Sequence, residues 1–348
     1  VQVEIPAKLS DDVFVAYKQS MNITGDGADI SFTQNGSKVD SVKVPAKSSV
    51  TVKADIKLDE SNANIKELKA IYKNGFFVEG FAFASSKDTS AYELSLPFLG
   101  FMGDWANLDV FDADIFEVES GKATPVWSYS DNIPASFLYS GNSLLGTNIF
   151  NDNSKYSQSH IAISKNSMDG IFTEIDSNMF TLRGMGDYTL TYKNSSGKKV
   201  KETSFKNVSK TYYYSSLGIP LAAEELMESE EEVDPFLHAA DVEDGKYTLT
   251  ISGTPAVKGA KTQTKSYDFV VDSKAPEITL IPFEVDGDAY LFVQAKDNHL
   301  ISSIFIGNME IVAEDDLKSD YAIFKLPNAK ATDLNGVVVN ACDYALNV

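Results

Sequence analysis

The feature that most constrains the fold is a long succession of short segments in which apolar and polar residues alternate. Clusters of Gly, Asn, Asp and Ser separate these segments every ~8–12 residues, a spacing typical of tandem β-sandwiches. Alternation places the apolar side chains on one face of a strand, where a second sheet can cover them. The pattern therefore predicts an all-β chain. Its clearest segments are Asp29–Thr33, Ser41–Val44, Ser49–Lys53, Tyr188–Tyr192, Lys246–Ile251 and Tyr267–Val271.

Two stretches have helical character. The first is Glu60–Ala70, and the second is Leu221–Val233, which contains six glutamates. The acidic run could bind calcium or a basic partner, but runs of like charge usually form solvated surfaces. We interpret it as a solvated insertion.

The length of 348 residues predicts more than one domain. Turn-rich linkers place the boundaries so that residues 1–126 form a first sandwich, 127–274 a second with the acidic insertion, and 275–348 a third, smaller one. The last boundary rests on the segment Ala275–Ile278, which follows the strand ending at Asp272 and whose Pro276 would stiffen a hinge there.

Charge and cysteine content exclude several functions. The net charge of −20 disfavours a nucleic acid or an anionic membrane surface as a partner. The single cysteine, Cys342, excludes an internal disulfide framework and a thiolate metal cluster. The sequence contains no run of ~20 apolar residues, so we expect no membrane insertion. The first residues, Val1–Pro6, begin within a strand pattern and lack a signal peptide, so we interpret the chain as a fragment of a longer polypeptide.

The sequence provides no constellation for catalysis. The three histidines, His160, His238 and His299, are widely spaced and none forms a metal-binding pair. Nucleophile-elbow, phosphate-loop and dinucleotide-binding motifs are also absent from the sequence. We therefore predict no catalytic, cofactor-binding or metal-binding residues, and no enzyme activity for the chain alone.

Four turns carry oxygen ligands that calcium could use, and structural calcium stays open on that ground alone. We interpret them as ordinary turns, because no complete calcium-loop series is present. The turns are Gly25–Gly27, Asp152–Asn153, Asp241–Gly245 and Asp286–Asp288.

Two neighbouring segments carry a more specific signal: Asn74–Ala84 reads NGFFVEGFAFA, and Leu94–Trp105 reads LSLPFLGFMGDW. They resemble the fibronectin type III-like domain that follows the catalytic unit in cell-envelope subtilisin-like serine proteases of the lactocepin and streptococcal complement-peptidase type. Weaker similarity continues at Ala162–Gly170, at Gly245–Leu249 with Tyr267–Asp272, and at Val339–Asn347. The residues expected to matter structurally are Phe81, Phe83, Pro97, Gly100, Phe101, Gly103, Asp104 and Trp105.

The residue types in these two segments fit the strands that the resemblance implies. Phe77, Gly80, Phe81 and Phe83 are expected to form a half-buried strand, with Trp105 capping the sandwich core. The second region departs from the family pattern, because Lys165 and Ser167 stand where the family turn has Pro and Gly. Any calcium role of that turn is therefore in doubt.

The resemblance implies tandem fibronectin type III or immunoglobulin-like sandwiches that act as a non-catalytic accessory region. Such a region would be a spacer, a stabiliser of the catalytic domain and a contributor to protein-substrate selection in a secreted, cell-wall-associated Gram-positive protease. Its partners would be the N-terminal catalytic domain of the same polypeptide and protein substrates, and we expect a monomer. The family's catalytic motifs are absent here, the nearest fragment being Ser167-Met168.

A second hypothesis is a surface adhesin or carbohydrate-binding sandwich. The aromatic run Tyr212–Tyr214 would be its binding platform, although aromatics also fill strands. Exposed rings in a row would favour this hypothesis.

Overall fold

The computed structural model describes residues 4–10, 13–18, 27–87, 92–128, 133, 135–151, 154–214, 219–222, 234–307, 309–312, 319–326 and 337–348. Three features singled out in the sequence lie outside these residues, at least in part. They are the run of glutamates after Ala222, the turn Asp152–Asn153 and most of the turn Gly25–Gly27. The side chains of Tyr212–Tyr214 are likewise outside the description.

The described residues form an all-β chain, which confirms the predicted fold class. They contain two α-helices, α1 (Ala63–Ile71) and α2 (Ile115–Glu119). The strands are β1 (Glu4–Ser10), β2 (Val13–Lys18), β3 (Ala28–Gln34), β4 (Ser37–Lys38), β5 (Lys53–Leu58), β6 (Phe76–Ala84), β7 (Leu94–Met102), β8 (Phe137–Ser140), β9 (Ser143–Leu144), β10 (Ala162–Ile163), β11 (Glu174–Asn178), β12 (Met185–Asn194), β13 (Lys199–Val208), β14 (Thr211–Tyr214), β15 (Ile219–Ala222), β16 (Leu237–His238), β17 (Gly245–Pro255), β18 (Gln263–Val271), β19 (Glu277–Val285), β20 (Asp288–Lys296), β21 (Ile301–Ile306), β22 (Met309–Val312), β23 (Ser319–Lys325) and β24 (Val339–Asp343).

Most of the segments predicted from alternation are strands in the structure. Asp29–Thr33 lies in β3, Tyr188–Tyr192 in β12, Lys246–Ile251 in β17 and Tyr267–Val271 in β18. The prediction was wrong for Ser41–Val44 and for most of Ser49–Lys53, where only Lys53 belongs to a strand.

The chain divides into two compact units, Val1–Leu108 and Asp109–Val348. In the first unit, β1 pairs with β2, β3 lies between β4 and β5, and β6 pairs with β7. The predicted helix at 60–70 is confirmed as α1, which begins after Asn62. The Asn62 side chain accepts hydrogen bonds from the backbone N–H groups of Asn64 (2.9 Å) and Ile65 (3.4 Å), which would otherwise lack helical partners.

The hairpin β6–β7 has one covered face and one open face. Phe76 packs with Ile65 and Leu68 of α1 in a small core. The opposite face carries Phe81 and Phe83, whose side chains are 61% and 62% exposed. Phe77 lies on the same face and is 58% exposed. The expectation of half-burial was therefore wrong for all three phenylalanines, because α1 covers the other face of the hairpin.

The second unit contains a large sandwich. Its five-stranded sheet has the order β10-β18-β17-β12-β13, and its four-stranded sheet has the order β16-β11-β8-β9. Both sheets supply side chains to one apolar core, including Ile175 of β11, Leu190 of β12 and Leu249 of β17. The short helix α2 also packs into this core through Ile115 and Phe116.

Residues 109–126 therefore lie in the second compact unit, whereas the sequence had assigned them to the first sandwich. The division into three domains stays a prediction.

A smaller sandwich ends the chain. The sheet β19-β20-β23 faces the sheet β22-β21-β24 across a core that includes Leu291, Val293, Ile301 and Ile304. No helix in the described part of the chain is long and apolar enough to cross a membrane.

Candidate functional site: a buried junction between two sandwiches

Three of the segments that resemble protease domains meet where the two sandwiches of the second unit join. They are the turn after β10, the end of β18 at Asp272 and the last residues of the chain, which follow β24. The backbone N–H of Met168 donates to the carbonyl of Leu346 (2.8 Å), so the C-terminal residues lie directly against the turn.

Asn347 is the central residue of this junction, and it is buried. Its Nδ2 donates to the carbonyl oxygen of Asp272 (2.8 Å) and to Oδ2 of Asp343 (2.7 Å), and its backbone N–H donates to Oδ1 of Asp343 (2.8 Å). Its Oδ1 accepts a hydrogen bond from the hydroxyl of Ser164 (2.6 Å). One amide therefore ties together three parts of the chain that are distant in sequence.

Three carboxylates surround this network: Asp272, Asp297 and Asp343. One oxygen from each lies within 4.8 Å of the others. Burial raises the pKa of Asp343 to about 8, and the neighbouring charges of Asp297 and Asp272 act in the same direction. Burial also raises the pKa of Asp272. At neutral pH Asp343 therefore holds a proton.

The same carboxylates are the residues that could hold a hard divalent cation. Ca²⁺ takes six to eight oxygen ligands, and this group offers three carboxylates. Both oxygens of Asp343 already accept hydrogen bonds from Asn347, and the two of Asp272 accept from the Lys274 N–H (3.1 Å) and from Asn298 Nδ2 (2.5 Å). Amide donors thus satisfy most of the oxygens, and we assign no metal to the group.

Apolar packing closes the junction beside the polar network. Ala162, Leu300, Tyr344 and Ala345 form a buried cluster against Val270. The ring of His160 stacks on Tyr344, with centroids 4.1 Å apart and planes at 14°. On another side, Phe150 and Phe305 meet edge to face at 5.0 Å. The contacts of the two sandwiches are therefore those of a protein interior rather than of a loose linker.

The histidines have separate structural roles. His160 is buried in the junction, and His299 follows Asp297, whose Oδ2 accepts its backbone N–H (2.5 Å). His238 lies elsewhere, between two carboxylates: its Nε2 is 2.7 Å from Asp234 and its Nδ1 is 3.0 Å from Glu174. Because both ring nitrogens of His238 contact carboxylates, neither faces a nucleophile that it could activate.

The residues chosen from the strongest resemblance lie in the first unit. Trp105 was expected to cap a core, but it is 43% exposed and packs on Phe101 (4.9 Å between centroids) and Phe77 (5.8 Å). Pro97 lies within β7 opposite Phe81, in a two-stranded sheet. Asp104 accepts a hydrogen bond from the side chain of Asn107 (2.8 Å).

The sequence did not single out Asp272, Asp297 or Asp343. Asp272 ends one segment that carries the family resemblance, and Asp343 lies within another, Val339–Asn347; these positions were the available signal. None of the three carboxylates belongs to the four turns that were considered as calcium ligands.

Known bacterial proteinases have sequences similar to this chain. The chain is 27% identical over 279 residues to a PI-type proteinase of Lactococcus lactis subsp. cremoris, and 27% identical over 275 residues to a PII-type proteinase of Lacticaseibacillus paracasei. Each match covers 75% of this chain and 14% of the relative. This chain is homologous to part of these proteinases. The resemblance inferred from the sequence is confirmed.

Similarity to other known proteins covers less of the chain or is weaker. A C5a peptidase of Streptococcus pyogenes serotype M1 is 33% identical over 82 residues, which covers 24% of this chain and 7% of that protein. No protein-family model matches the sequence. An amphioxus IgVJ-C2 structure aligns with 46% of this chain and 89% of its own at 15% identity, with a TM-score of 0.15, too low to support an argument. This chain thus spans about one seventh of the length of the lactococcal proteinase that it matches.

Proposed function

We propose that this chain is the non-catalytic accessory region of a secreted, cell-wall-associated subtilisin-like serine protease. It acts as a spacer, stabilises the catalytic domain and contributes to the selection of protein substrates. The observation that carries the proposal is the homology of three quarters of the chain to a short part of much longer proteinases. Localisation outside the cell is part of the same proposal.

The buried junction supports the spacer role. A spacer holds its ends at a fixed separation only if the domains within it do not move relative to each other. Here hydrogen bonds from one asparagine, a stacked ring pair and an apolar cluster join two sandwiches into one compact unit.

The open face of the hairpin β6–β7 supports the stabilising role. Phe77, Phe81, Phe83 and Trp105 leave an apolar surface that a monomeric domain seldom exposes without a partner. The catalytic domain of the same polypeptide is the partner that we propose for it.

A protease assay on casein tests the main proposal. The full gene product should cleave casein and lose this activity with a serine-directed inhibitor, whereas the 348-residue chain alone should not cleave it. Cleavage by the isolated chain, or a full gene product without a subtilisin-like domain, would refute the accessory role.

The docking surface has its own test in the full gene product. Replacing Phe81 and Phe83 by Ser should lower the temperature at which protease activity is lost, because the catalytic domain would lose an apolar contact, while the melting temperature of the isolated chain should change little. Tyr92→Ser removes an aromatic ring that is 92% exposed in the same unit and serves as the control. An equal effect of the control would contradict the docking role.

A further inference from the structure

The outer face of the last sandwich carries an unusual set of aromatic side chains. In the sheet β19-β20-β23, Leu291, Val293 and Ala295 point into the core, so the alternate residues of β20 point outward. Those residues include Tyr290 and Phe292. They are exposed in part, because no second sheet covers this face in the described structure.

Strand register builds these side chains into a regular grid. Directly opposed residues of antiparallel strands lie on the same face. One row is therefore Phe283, Tyr290 and Lys325, and the next is Ile281, Phe292 and Ile323. The third row, Thr279, Gln294 and Tyr321, brings an amide and two hydroxyl groups to the edge of the apolar rows.

The four rings lie in two nearly parallel pairs. Phe283 and Tyr290 have centroids 5.5 Å apart and planes at 18°, and Phe292 and Tyr321 have centroids 5.7 Å apart and planes at 26°. Tyr321 is 63% exposed, and its aliphatic neighbour Ile323 is similarly open to solvent. Each pair of rings is stacked, and together the rings give this face an apolar surface rather than a pocket.

The charges of this face cancel, unlike those of the whole chain. Asp288 forms an ion pair with Lys325 at one end, and Glu277 lies opposite Lys296 at the other. The chain as a whole carries a net charge of −20. A polyanion would be repelled by the surrounding field, and so would a second copy of this chain, whereas a neutral ligand would meet a neutral surface.

We propose that this face binds a neutral polysaccharide. The C–H groups on the flat side of a sugar ring carry partial positive charge and pack against the negative faces of aromatic rings, and the sugar hydroxyl groups need hydrogen-bonding partners such as those of the third row. The aromatic platform that we propose for this ligand is the outer face of the sheet β19-β20-β23 in the last sandwich. The proposal is independent of the protease function.

Affinity electrophoresis of the full 348-residue chain tests this site. The chain should migrate more slowly in native gels that contain at least one of hydroxyethyl cellulose, laminarin or galactomannan than in gels without polymer. In a sedimentation assay with the same polymer, 0.5 M NaCl should not release the chain from the polymer. Tyr321→Ala should weaken the apparent affinity roughly tenfold, the upper end of what one aromatic contact contributes. Tyr92→Ala, which removes an exposed ring in the first unit, should leave it unchanged.

Several results would overturn the proposal. They are unaltered mobility of the folded chain in all three polymers, release by salt, or an equal loss of affinity in Tyr92→Ala. Sedimentation velocity provides one more: a concentration-dependent dimer that Tyr321→Lys abolishes would show that a second copy occupies the face instead.

Discussion

Cys342 is a built-in reporter for the last sandwich. Its thiol is completely buried between the sandwich cores, and it is the only thiol in the sequence. Burial raises its pKa to about 12, and the neighbouring charge of Asp343 acts in the same direction. Because the thiolate is the reactive form, both access and ionisation protect this residue.

We therefore expect no reaction of Cys342 with a disulfide reagent such as DTNB at pH 8 while the chain is folded. One equivalent should react after addition of guanidinium chloride, and the rate in intermediate denaturant should follow the opening of the last sandwich. Glutathione at the same pH provides the reference rate. Rapid stoichiometric labelling of the folded chain would contradict the burial of this thiol.

Asp343 should make stability depend on pH. An ordinary aspartate has a pKa near 3.8, whereas that of Asp343 is about 8 in the folded chain. Between these values the folded state holds a proton that the unfolded state has released, so the free energy of unfolding falls as pH rises from about 4 to about 8. The slope contributed by one proton is at most about 1.4 kcal/mol per pH unit.

Denaturation at pH 5, 7 and 9 measures this slope, with EDTA present so that no cation offsets the charge. Asp343→Asn, which resembles the protonated side chain, should flatten the curve. Asp169→Asn is the matched control, because it removes the same charge from an exposed position whose positive φ asparagine tolerates. A slope that survives in Asp343→Asn would show that another group holds the proton.

At the scale of elements, two glycines of the family-like hairpin should respond very differently to substitution. Gly103 has a φ of +153°, and a Cβ there would lie 2.7 Å from the ring of Phe101 and 3.0 Å from Cα of Gly75. Gly100 lies within β7, where the atom nearest to an added Cβ is 3.8 Å away. We expect Gly103→Ala to destabilise the first unit by about 1–3 kcal/mol and Gly100→Ala to be nearly neutral.

Tryptophan fluorescence during urea unfolding distinguishes the two variants. Trp105 lies beside this hairpin, and a Trp127→Phe background makes it the only emitting tryptophan. Equal midpoints for Gly103→Ala and Gly100→Ala would show that the hairpin end adapts to a side chain without cost.

The elements that sequence could predict are those whose pattern matches their final burial. β12, β17 and β18 alternate and are covered on one face by the core, so alternation identified them. Ser41–Val44 alternates equally well, but it has no partner strand in the described structure. Phe81 and Phe83 do lie in a strand, but their side chains are exposed rather than buried, because α1 covers the other face of their hairpin.

The junction was beyond prediction for a physical reason. It depends on contacts such as that between Ser164 and Asn347, which are 183 residues apart, and local periodicity carries no information about such pairs. A resemblance at Ala162–Gly170 and at Val339–Asn347 marked the segments without showing that they meet. The pKa of Asp343 is raised by burial and by the charges of Asp297 and Asp272, which are distant from it in sequence.

At the scale of the whole molecule, the junction should make the second unit unfold as one. Its two sandwiches have separate cores, Ile175 lying in one and Val293 in the other, so each could in principle unfold alone. Asn347 links them through Asp272 and Ser164. Coupling of this kind predicts one calorimetric transition for the unit.

Asn347→Ala should divide that transition into two. The substitution leaves the carbonyl of Asp272, the carboxylate of Asp343 and the hydroxyl of Ser164 buried with fewer partners, at a cost of about 1–3 kcal/mol for each group left unsatisfied. The last sandwich, which has the smaller core, should then melt first.

Asn340→Ala is the control: it alters an exposed residue of β24 and should keep the single transition. Calorimetry with hydrogen exchange at Leu291 and Leu190 assigns each transition to a sandwich. A single transition in Asn347→Ala would instead place the coupling in the apolar cluster around Tyr344, where the stacked ring of His160 would have to carry it.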